Sequence, residues 1–135
     1  MVGIVLISHG DLAKGILSSA SMLVPQLENI SSLTLWPDDN PDDFQEKLSA
    51  LVKEADRGDG VFILADMLGG TPANRAMYCL GDKVRMLTGL SLPMLYSLIT
   101  IREETSDLVQ LAKDVMAEAR EAMVDVNELM ASNKG

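Results

Sequence analysis

The segment 2–7 constrains the fold most strongly, because it is an uninterrupted apolar run, Val2-Gly3-Ile4-Val5-Leu6-Ile7, rich in β-branched residues. A strand with one face in water alternates apolar and polar residues, whereas a strand buried on both faces is apolar throughout. The run therefore predicts a strand in the interior of a parallel sheet. Residues 61–65 form a similar apolar run, Val61-Phe62-Ile63-Leu64-Ala65, and predict another buried strand.

Helical patterns separate these strands. After the first strand, apolar residues recur at helical spacing until Pro25, namely Leu12, Ile16, Leu17, Ala20 and Leu23. Two further strands are predicted at 30–36 and 83–88, and further helices at 44–55, 73–80, 94–101 and 106–122. Residues 124–129 fit either a continued helix or a short final strand, and the valines on either side of Asp125 are compatible with the strand.

Strands that alternate with helices indicate an α/β protein with right-handed crossovers. We predict a doubly wound, four-stranded parallel sheet of order 2-1-3-4 with helices on both faces. A chain of 135 residues suits one domain. We assign residues 1–130 to that domain and residues 131–135 to a polar C-terminal tail.

The predicted strand order places two loops opposite each other. Between strands one and three the direction of winding reverses, and ligands of such sheets bind beside that point, at the carboxyl ends of the strands. The two loops are Ser8-His9-Gly10 and Asp66-Met67-Leu68-Gly69-Gly70-Thr71-Pro72. The single histidine of the chain therefore lies at the predicted site.

Composition and charge exclude several functions. The net charge is −9, which disfavours binding to nucleic acid or to an anionic membrane surface. No apolar run approaches the roughly 18 residues of a membrane span, and residues 1–8 lack the basic start of an export signal. The lone Cys79 forbids an internal disulfide. We expect a cytoplasmic protein.

The residues at the site fit nucleophilic chemistry by a histidine. A carboxylate such as Asp66 would accept a hydrogen bond from one ring nitrogen of His9 and leave the other nitrogen with a lone pair. Gly69, Gly70 and Thr71 offer N–H groups, a hydroxyl and a helix start, which favour phosphoryl oxygens, and Ser8 and Gly10 are candidates for further contacts. No cofactor is expected, and no metal, because no histidine or carboxylate cluster accompanies these residues.

Structural roles are the alternative for each of these residues. His9 fits a structural histidine, Asp66 fits a loop cap, and Gly-Gly-Thr-Pro fits a turn in which Thr71 caps a helix ahead of Pro72. Other features favour ordinary roles. Core packing suits most of the methionines, although Met67, Leu68 and Met94 near the carboxyl edge of the sheet also fit an apolar docking patch. Cys79 fits a buried residue, and the acidic residues of 38–43 fit a solvated helix start. Trp36 fits a core, dimer or binding residue equally.

Three ordered motifs carry a resemblance to a known family. They are Gly3-Ile4-Val5-Leu6-Ile7-Ser8-His9-Gly10, Asp66-Met67-Leu68-Gly69-Gly70-Thr71-Pro72-Ala73-Asn74 and Thr88-Gly89-Leu90-Ser91-Leu92-Pro93-Met94-Leu95. Together they resemble the enzyme IIA component of the mannose family of the bacterial phosphotransferase system. The likeness spans almost the whole chain.

The resemblance implies a phosphocarrier, and hence a phosphotransferase, that accepts a phosphoryl group from HPr and passes it to a IIB component. IIB then phosphorylates a sugar that enters through the membrane subunits IIC and IID. His9 would carry the phosphoryl group on Nε2, Asp66 would hold Nδ1–H, and Thr71 would lie beside the phosphoryl group. It also implies a homodimer that exchanges a C-terminal strand, which fits the ambiguity at 124–129.

Departures from the family pattern bear on two loops. Leu90-Ser91-Leu92 stands where the family often has Asn, and Ala73-Asn74 stands where many members have Phe-Asn. We expect a separate subunit, since the chain ends at Gly135. The alternatives are a IIA-like subunit that serves dihydroxyacetone kinase, and a non-catalytic flavodoxin-like binding module. The sequence argues against the binding module, because it lacks both the acidic pair of a receiver domain and the phosphate loop of a flavin binder.

Overall fold

The computed structural model describes residues 1–133. It contains four strands, β1 (Gly3–His9), β2 (Ile30–Leu35), β3 (Val61–Ala65) and β4 (Val84–Thr88). It also contains six α-helices, α1 (Leu12–Ala20), α2 (Pro41–Ala55), α3 (Thr71–Ala76), α4 (Leu92–Ile101), α5 (Leu108–Glu121) and α6 (Val126–Asn133). A 3₁₀ turn, Met77–Cys79, follows α3.

The four strands form one parallel sheet of order β2-β1-β3-β4, which confirms the predicted topology. β1 and β3 are the two central strands, and all five residues of β3 are buried. Their continuous apolar sequence follows from this position, since helices cover both faces of the sheet. Winding reverses between β1 and β3, as expected.

Alternation along β1 divides its side chains between two apolar cores. Ile4 and Leu6 face the core formed with α1, α4 and α5, whereas Val5 and Ile7 face the core formed with α2 and α3. This period of two continues to the end of the strand. Ser8 therefore points toward the first core, and His9 points toward the side of α2 and α3.

Helix starts follow local sequence signals. The side chains of Asn40, Ser91 and Asp107 accept hydrogen bonds from backbone N–H groups in the first turns of α2, α4 and α5. α2 places a stripe of buried residues against the sheet, namely Phe44, Leu48, Val52 and Ala55. The capped helix starts and the packing of α2 on the sheet fix the loops at the carboxyl edge of the sheet.

The C-terminal segment is helical from Val126 to Asn133, so the described chain takes the helix of the two interpretations left open for 124–129. The Asp125 carboxylate accepts a hydrogen bond from the Glu128 N–H, and the Asp125 carbonyl accepts one from Leu129 N–H. The aspartate between the two valines thus starts a helix, and local hydrogen bonds outweigh β-branched propensity where no strand is paired. Among residues 1–133, the segment 124–129 joins no strand of the sheet, and the strand exchange and the homodimer both stay predictions.

Other boundaries differ from the predictions in smaller ways. α1 ends at Ala20 rather than near Leu23, and the predicted helix at 73–80 divides into α3 and the 3₁₀ turn. α6 continues past residue 130, the predicted end of the domain, so residues 131–133 of the predicted tail are helical. Residues 134–135 of that tail lie outside the described residues. Within residues 1–133, every helix falls short of the length and apolarity that a membrane-spanning helix needs.

Candidate functional site

His9 and Asp66 meet at the carboxyl edge of the sheet. His9 is the last residue of β1, and Asp66 directly follows β3, which pairs with β1. The Asp66 N–H donates to the Ile7 carbonyl at 3.2 Å, so the pairing of the two strands extends into the loop. The topology of the sheet, and not proximity along the chain, brings the two side chains together.

The Asp66 carboxylate accepts three hydrogen bonds. Its Oδ2 lies 2.6 Å from the His9 ring nitrogen Nδ1 and 2.9 Å from the His9 backbone nitrogen. Its Oδ1 lies 2.9 Å from the backbone nitrogen of Met67. Both oxygens are therefore held in place, and the side chain is only 9% exposed.

These contacts decide the charge of Asp66. Burial raises the pKa of its carboxyl, but the hydrogen bonds from His9 and Met67 and the attraction of the His9 ring outweigh burial, so that the pKa lies below its ordinary value. Asp66 is therefore an ionised acceptor at neutral pH. Because an ionised carboxylate only accepts, Nδ1 of His9 carries the hydrogen, and Nε2 of the neutral ring has the free lone pair.

The His9 ring is accessible from one side. Its side chain is 49% exposed, whereas Gly70 packs closely against it. A Cβ at Gly70 would lie 2.6 Å from Cε1 of His9 and 3.3 Å from Nε2. The ring can occupy this position only because residue 70 has no side chain.

A cavity of about 450 Å³ opens beside His9. The β2–α2 loop and the ends of neighbouring elements form its walls, through Gly10, Leu35, Trp36, Pro37, Asp39, Pro41 and Thr71. Its lining is largely apolar, and Thr71 adds a hydroxyl-bearing side chain to it. A group on Nε2 would extend into a partly enclosed space.

Thr71 is the first residue of α3, and Gly70 is the N-cap, so the predicted cap position of Thr71 is wrong by one residue. The Gly70 side of the helix start has no side-chain cap, and Gly69 has a positive φ of 88° that favours glycine. The Asn74 side chain donates to the Gly69 carbonyl at 3.3 Å. This contact braces the loop that holds Gly70 against His9.

Ser8 does not face the cavity, contrary to the prediction that it contacts a phosphoryl group. Its side chain is fully buried, its hydroxyl donates to the Gly10 carbonyl, and the same oxygen accepts a hydrogen bond from Ala13 N–H. Strand alternation is the reason, since Ser8 and His9 point to opposite faces of the sheet. The hydroxyl instead ties the β1–α1 turn.

Gly10 takes part through its backbone. Its φ of 56° lies in the left-handed region, and its N–H donates to the Leu35 carbonyl at 2.9 Å. That N–H is therefore used within the fold. Gly10 permits the sharp turn after His9 and contributes a wall of the cavity.

Several other residues differ from their expected roles. Met67 and Leu68 are exposed, at 59% and 68%, whereas Met94 is buried as core packing predicts. Cys79 is only partly buried, in the 3₁₀ turn. Arg75 donates to Asp42 at 2.7 Å and to Gln45 at 3.0 Å, which directs its guanidinium toward α2.

The sequence left the role of Trp36 open and did not single out Arg102. Trp36, which fitted several roles, lies in the cavity wall, and the signal for this is its place one residue after β2. Arg102 is buried and donates to the carbonyls of Val2 and Glu28. No sequence pattern marks a buried arginine. Among residues 1–133, no group of three His, Cys, Asp or Glu side chains is placed to hold a metal ion.

Comparison with known proteins gives a family. Residues 3–116 match the family model EIIA-man, described as "PTS system fructose IIA component". The PTS system mannose-specific EIIAB component of Escherichia coli (strain K12) is 31% identical over 127 residues, which are 90% of this chain and 39% of that protein. The chain thus spans about two fifths of the length of the first curated relatives it matches. The PTS system fructose-specific EIIA component of Bacillus subtilis (strain 168) is 27% identical over 105 residues, covering 76% of this chain and 72% of the relative.

Solved structures agree with this match. The phosphotransferase system component EIIA from Streptococcus agalactiae superposes with a TM-score of 0.87 at 26% identity, covering 95% of this chain and 99% of that one. The mannose/sorbose specific IIA subunit from Enterococcus faecalis superposes with a TM-score of 0.80 at 30% identity, covering 91% and 92%. The resemblance carried by the three sequence motifs is confirmed. Because the family model covers most of its length, the chain belongs to the EIIA-man family of sugar phosphotransferase-system IIA components, a family of phosphocarriers.

Proposed function

We propose that His9 accepts a phosphoryl group from phosphorylated HPr and passes it to a IIB component. The observation that carries the proposal is the 2.6 Å contact between Asp66 Oδ2 and His9 Nδ1. It leaves the Nε2 lone pair directed away from Asp66, on a half-exposed ring beside an open cavity. Membership of the IIA family supports the same role.

The transfer exchanges one phosphorus–nitrogen bond for another. The Nε2 lone pair of His9 attacks phosphorus while the bond to the donor histidine breaks, and its electron pair returns to the donor ring. Nδ1 keeps its hydrogen, so the phosphorylated His9 ring is positively charged. The ionised Asp66 carboxylate stabilises that charge at hydrogen-bond distance. The reverse sequence delivers the group to a nucleophile on IIB.

The loop after β3 contributes to holding the phosphoryl group. Thr71 lines the cavity with His9, and its hydroxyl is a donor for a phosphoryl oxygen. The first N–H groups of a helix lack intrahelical acceptors, and Thr71 begins α3. Gly69 and Gly70 bring this loop close to the ring, whereas Ser8 and Gly10 shape the turn that presents His9.

The site suits transfer between proteins. The ring is half exposed, and the cavity beside it is open, so a second protein reaches Nε2 directly. The net charge of −9 favours association with a basic partner surface, at rates that fall with added salt. We propose that IIB in turn serves the membrane subunits IIC and IID, and that residues 1–130 form the phosphocarrier domain.

Labelling with phosphate tests the proposal. The protein is incubated with labelled phosphoenolpyruvate, enzyme I and catalytic HPr, and the label is assayed for stability in acid and in base. We expect an acid-labile, base-stable label that vanishes in His9→Ala and persists in Lys14→Ala, a neighbouring exposed control that excludes phospholysine. Phosphorus NMR of the product should place the group on Nε2. An unlabelled native protein, or a label that survives in His9→Ala, contradicts the proposal.

A further inference from the structure

Trp36 lies beside the phosphoryl-accepting face of His9. The parallel register pairs His9 with Leu35, and the Gly10 N–H donates to the Leu35 carbonyl. Trp36 is the next residue, so it emerges at the same edge of the sheet. Trp36, His9 and Thr71 line the same cavity.

The backbone of Trp36 is fixed although its side chain is exposed. Its N–H donates to Asp39 Oδ2 at 2.8 Å, and the Asp39 N–H donates to the Trp36 carbonyl at 3.0 Å. α2 begins immediately afterwards, capped by Asn40. The side chain is nevertheless 48% exposed. A large aromatic group on a rigid turn loses little conformational entropy on binding, as anchor residues of interfaces do.

Carboxylates follow this aromatic residue closely along the chain. The turn and the first turn of α2 carry four of them, on Asp38, Asp39, Asp42 and Asp43. Asp42 pairs with Arg75, and among the described residues the other three have no lysine or arginine partner within 4 Å. The cavity is thus largely apolar, with Asp39 in its wall, and the exposed Asp38 and Asp43 of the same segment extend this negative rim. Such a rim repels small phosphorylated anions and attracts a cationic protein surface.

We propose that Trp36 is the docking and specificity residue for the phosphoryl-donor protein. An apolar group of the donor packs against the indole and fills the cavity mouth, while Lys or Arg side chains of the donor pair with Asp38 and Asp43. The phosphohistidine of the donor is thereby brought over Nε2 of His9. This inference rests on the proposed function, since it names how the donor is recognised.

Kinetics of phosphoryl transfer from phospho-HPr measure this role. We expect Trp36→Ala to raise the apparent KM for phospho-HPr about tenfold or more, as removal of an interface anchor does, with the final extent of labelling unchanged. Trp36→Phe, which keeps an aromatic ring, should recover most of the affinity. The matched control is Val109→Ala, a similarly exposed apolar residue at the start of α5, which should leave KM unchanged.

The carboxylate rim has its own pair of variants. Asp38→Asn should raise KM and reduce the dependence of KM on salt. Glu118→Gln, which removes an exposed charge on α5, is the control and should have a much smaller effect on both quantities. Because Trp36 is the single tryptophan, its fluorescence reports docking directly. Titration of a tryptophan-free HPr into the His9→Ala variant should change that emission without any transfer.

The outcomes separate the two proposals. A native protein that is never labelled overturns the proposed function. Normal labelling together with an unchanged KM in a folded Trp36→Ala variant overturns the docking role alone. A Trp36 emission that does not respond to HPr at concentrations above KM also overturns it.

Discussion

The His9 imidazole occupies the space that a side chain at Gly70 would need. A Cβ built on Gly70 lies 2.6 Å from Cε1 and 3.3 Å from Nε2, well inside van der Waals contact. The φ of Gly70 is −78°, so its backbone conformation is open to any residue. The glycine is required by the ring, not by the turn.

Gly70→Ala should therefore impair the site and spare the fold. The new methyl group would force the ring away from Asp66 or cover Nε2, and we expect phosphorylation to slow by roughly tenfold or more, since small displacements of reacting groups have large effects. Urea unfolding and the rate of labelling measure the two effects separately. The matched control is Gly15→Ala in α1, where the added methyl carbon has no atom of the described residues outside its own helix backbone within 4 Å. It should raise the free energy of unfolding by about 0.5–1 kcal/mol and leave labelling unchanged. Equal labelling rates in the two variants would contradict the steric account.

Asp66→Asn should remove most of the activity of His9 while the chain stays folded. The amide cannot supply the negative charge that stabilises the phosphorylated ring, so we expect phosphorylation to slow by roughly 10²-fold. The labelling rate and the lifetime of the phosphohistidine are the measurements. Asp82→Asn, an exposed residue in the turn before β4, is the control and should behave as the native protein. An unchanged rate in Asp66→Asn would exclude Asp66 from the mechanism.

The lowered pKa of Asp66 predicts how stability depends on pH. The pKa lies below its ordinary value of 3.8, because the hydrogen bonds from His9 and Met67 outweigh the effect of burial. A depressed carboxyl pKa stabilises the fold above the unfolded-state pKa, and this contribution is lost as the pH falls through the folded-state pKa. The difference in free energy of unfolding between native protein and Asp66→Asn should hold steady above pH 5 and shrink below about pH 4. Denaturant titrations at several pH values measure it, and a difference that widens on acidification would contradict the assignment.

Arg102→Met should weaken the fold without touching the site. The guanidinium is buried and donates to the carbonyls of Val2 and Glu28, which hold the start of β1 and the segment before β2. Its loss leaves those carbonyls without donors, and we expect a decrease of about 2–3 kcal/mol in the free energy of unfolding. Arg120→Met, an exposed residue near the end of α5, is the control. Labelling of the folded fraction of Arg102→Met should match that of the native protein.

The sheet and the meeting of His9 with Asp66 follow from local sequence. Two uninterrupted apolar runs require burial on both faces, and helices between strands require parallel pairing, which leaves few strand orders. In the order 2-1-3-4, the residues after strands one and three must adjoin. His9 and Asp66 are those residues, so their proximity was predictable without coordinates.

Ser8 shows how far local patterns reach. Successive side chains of any strand point to opposite faces, so a strand that includes Ser8 and His9 must separate them in this way. The prediction that Ser8 contacts a phosphoryl group rests on its proximity to the site and ignores the direction of its side chain. The place of a residue in a strand determines where its side chain points as well as where its backbone lies. The side chain of Ser8 accordingly points into the core and is buried.

The sequence by itself determined the fold class, the strand order and the pair of residues at the switch point, because hydrophobic periodicity and chain connectivity are local properties. Only the tertiary structure decided that Gly70 packs on the His9 ring, that Trp36 walls the cavity, and that Arg102 is buried. Each of these depends on contacts between segments distant along the chain. It also decided the helix at the C-terminus, where a strand pattern without a paired neighbour gives way to hydrogen bonds that a helix supplies from within.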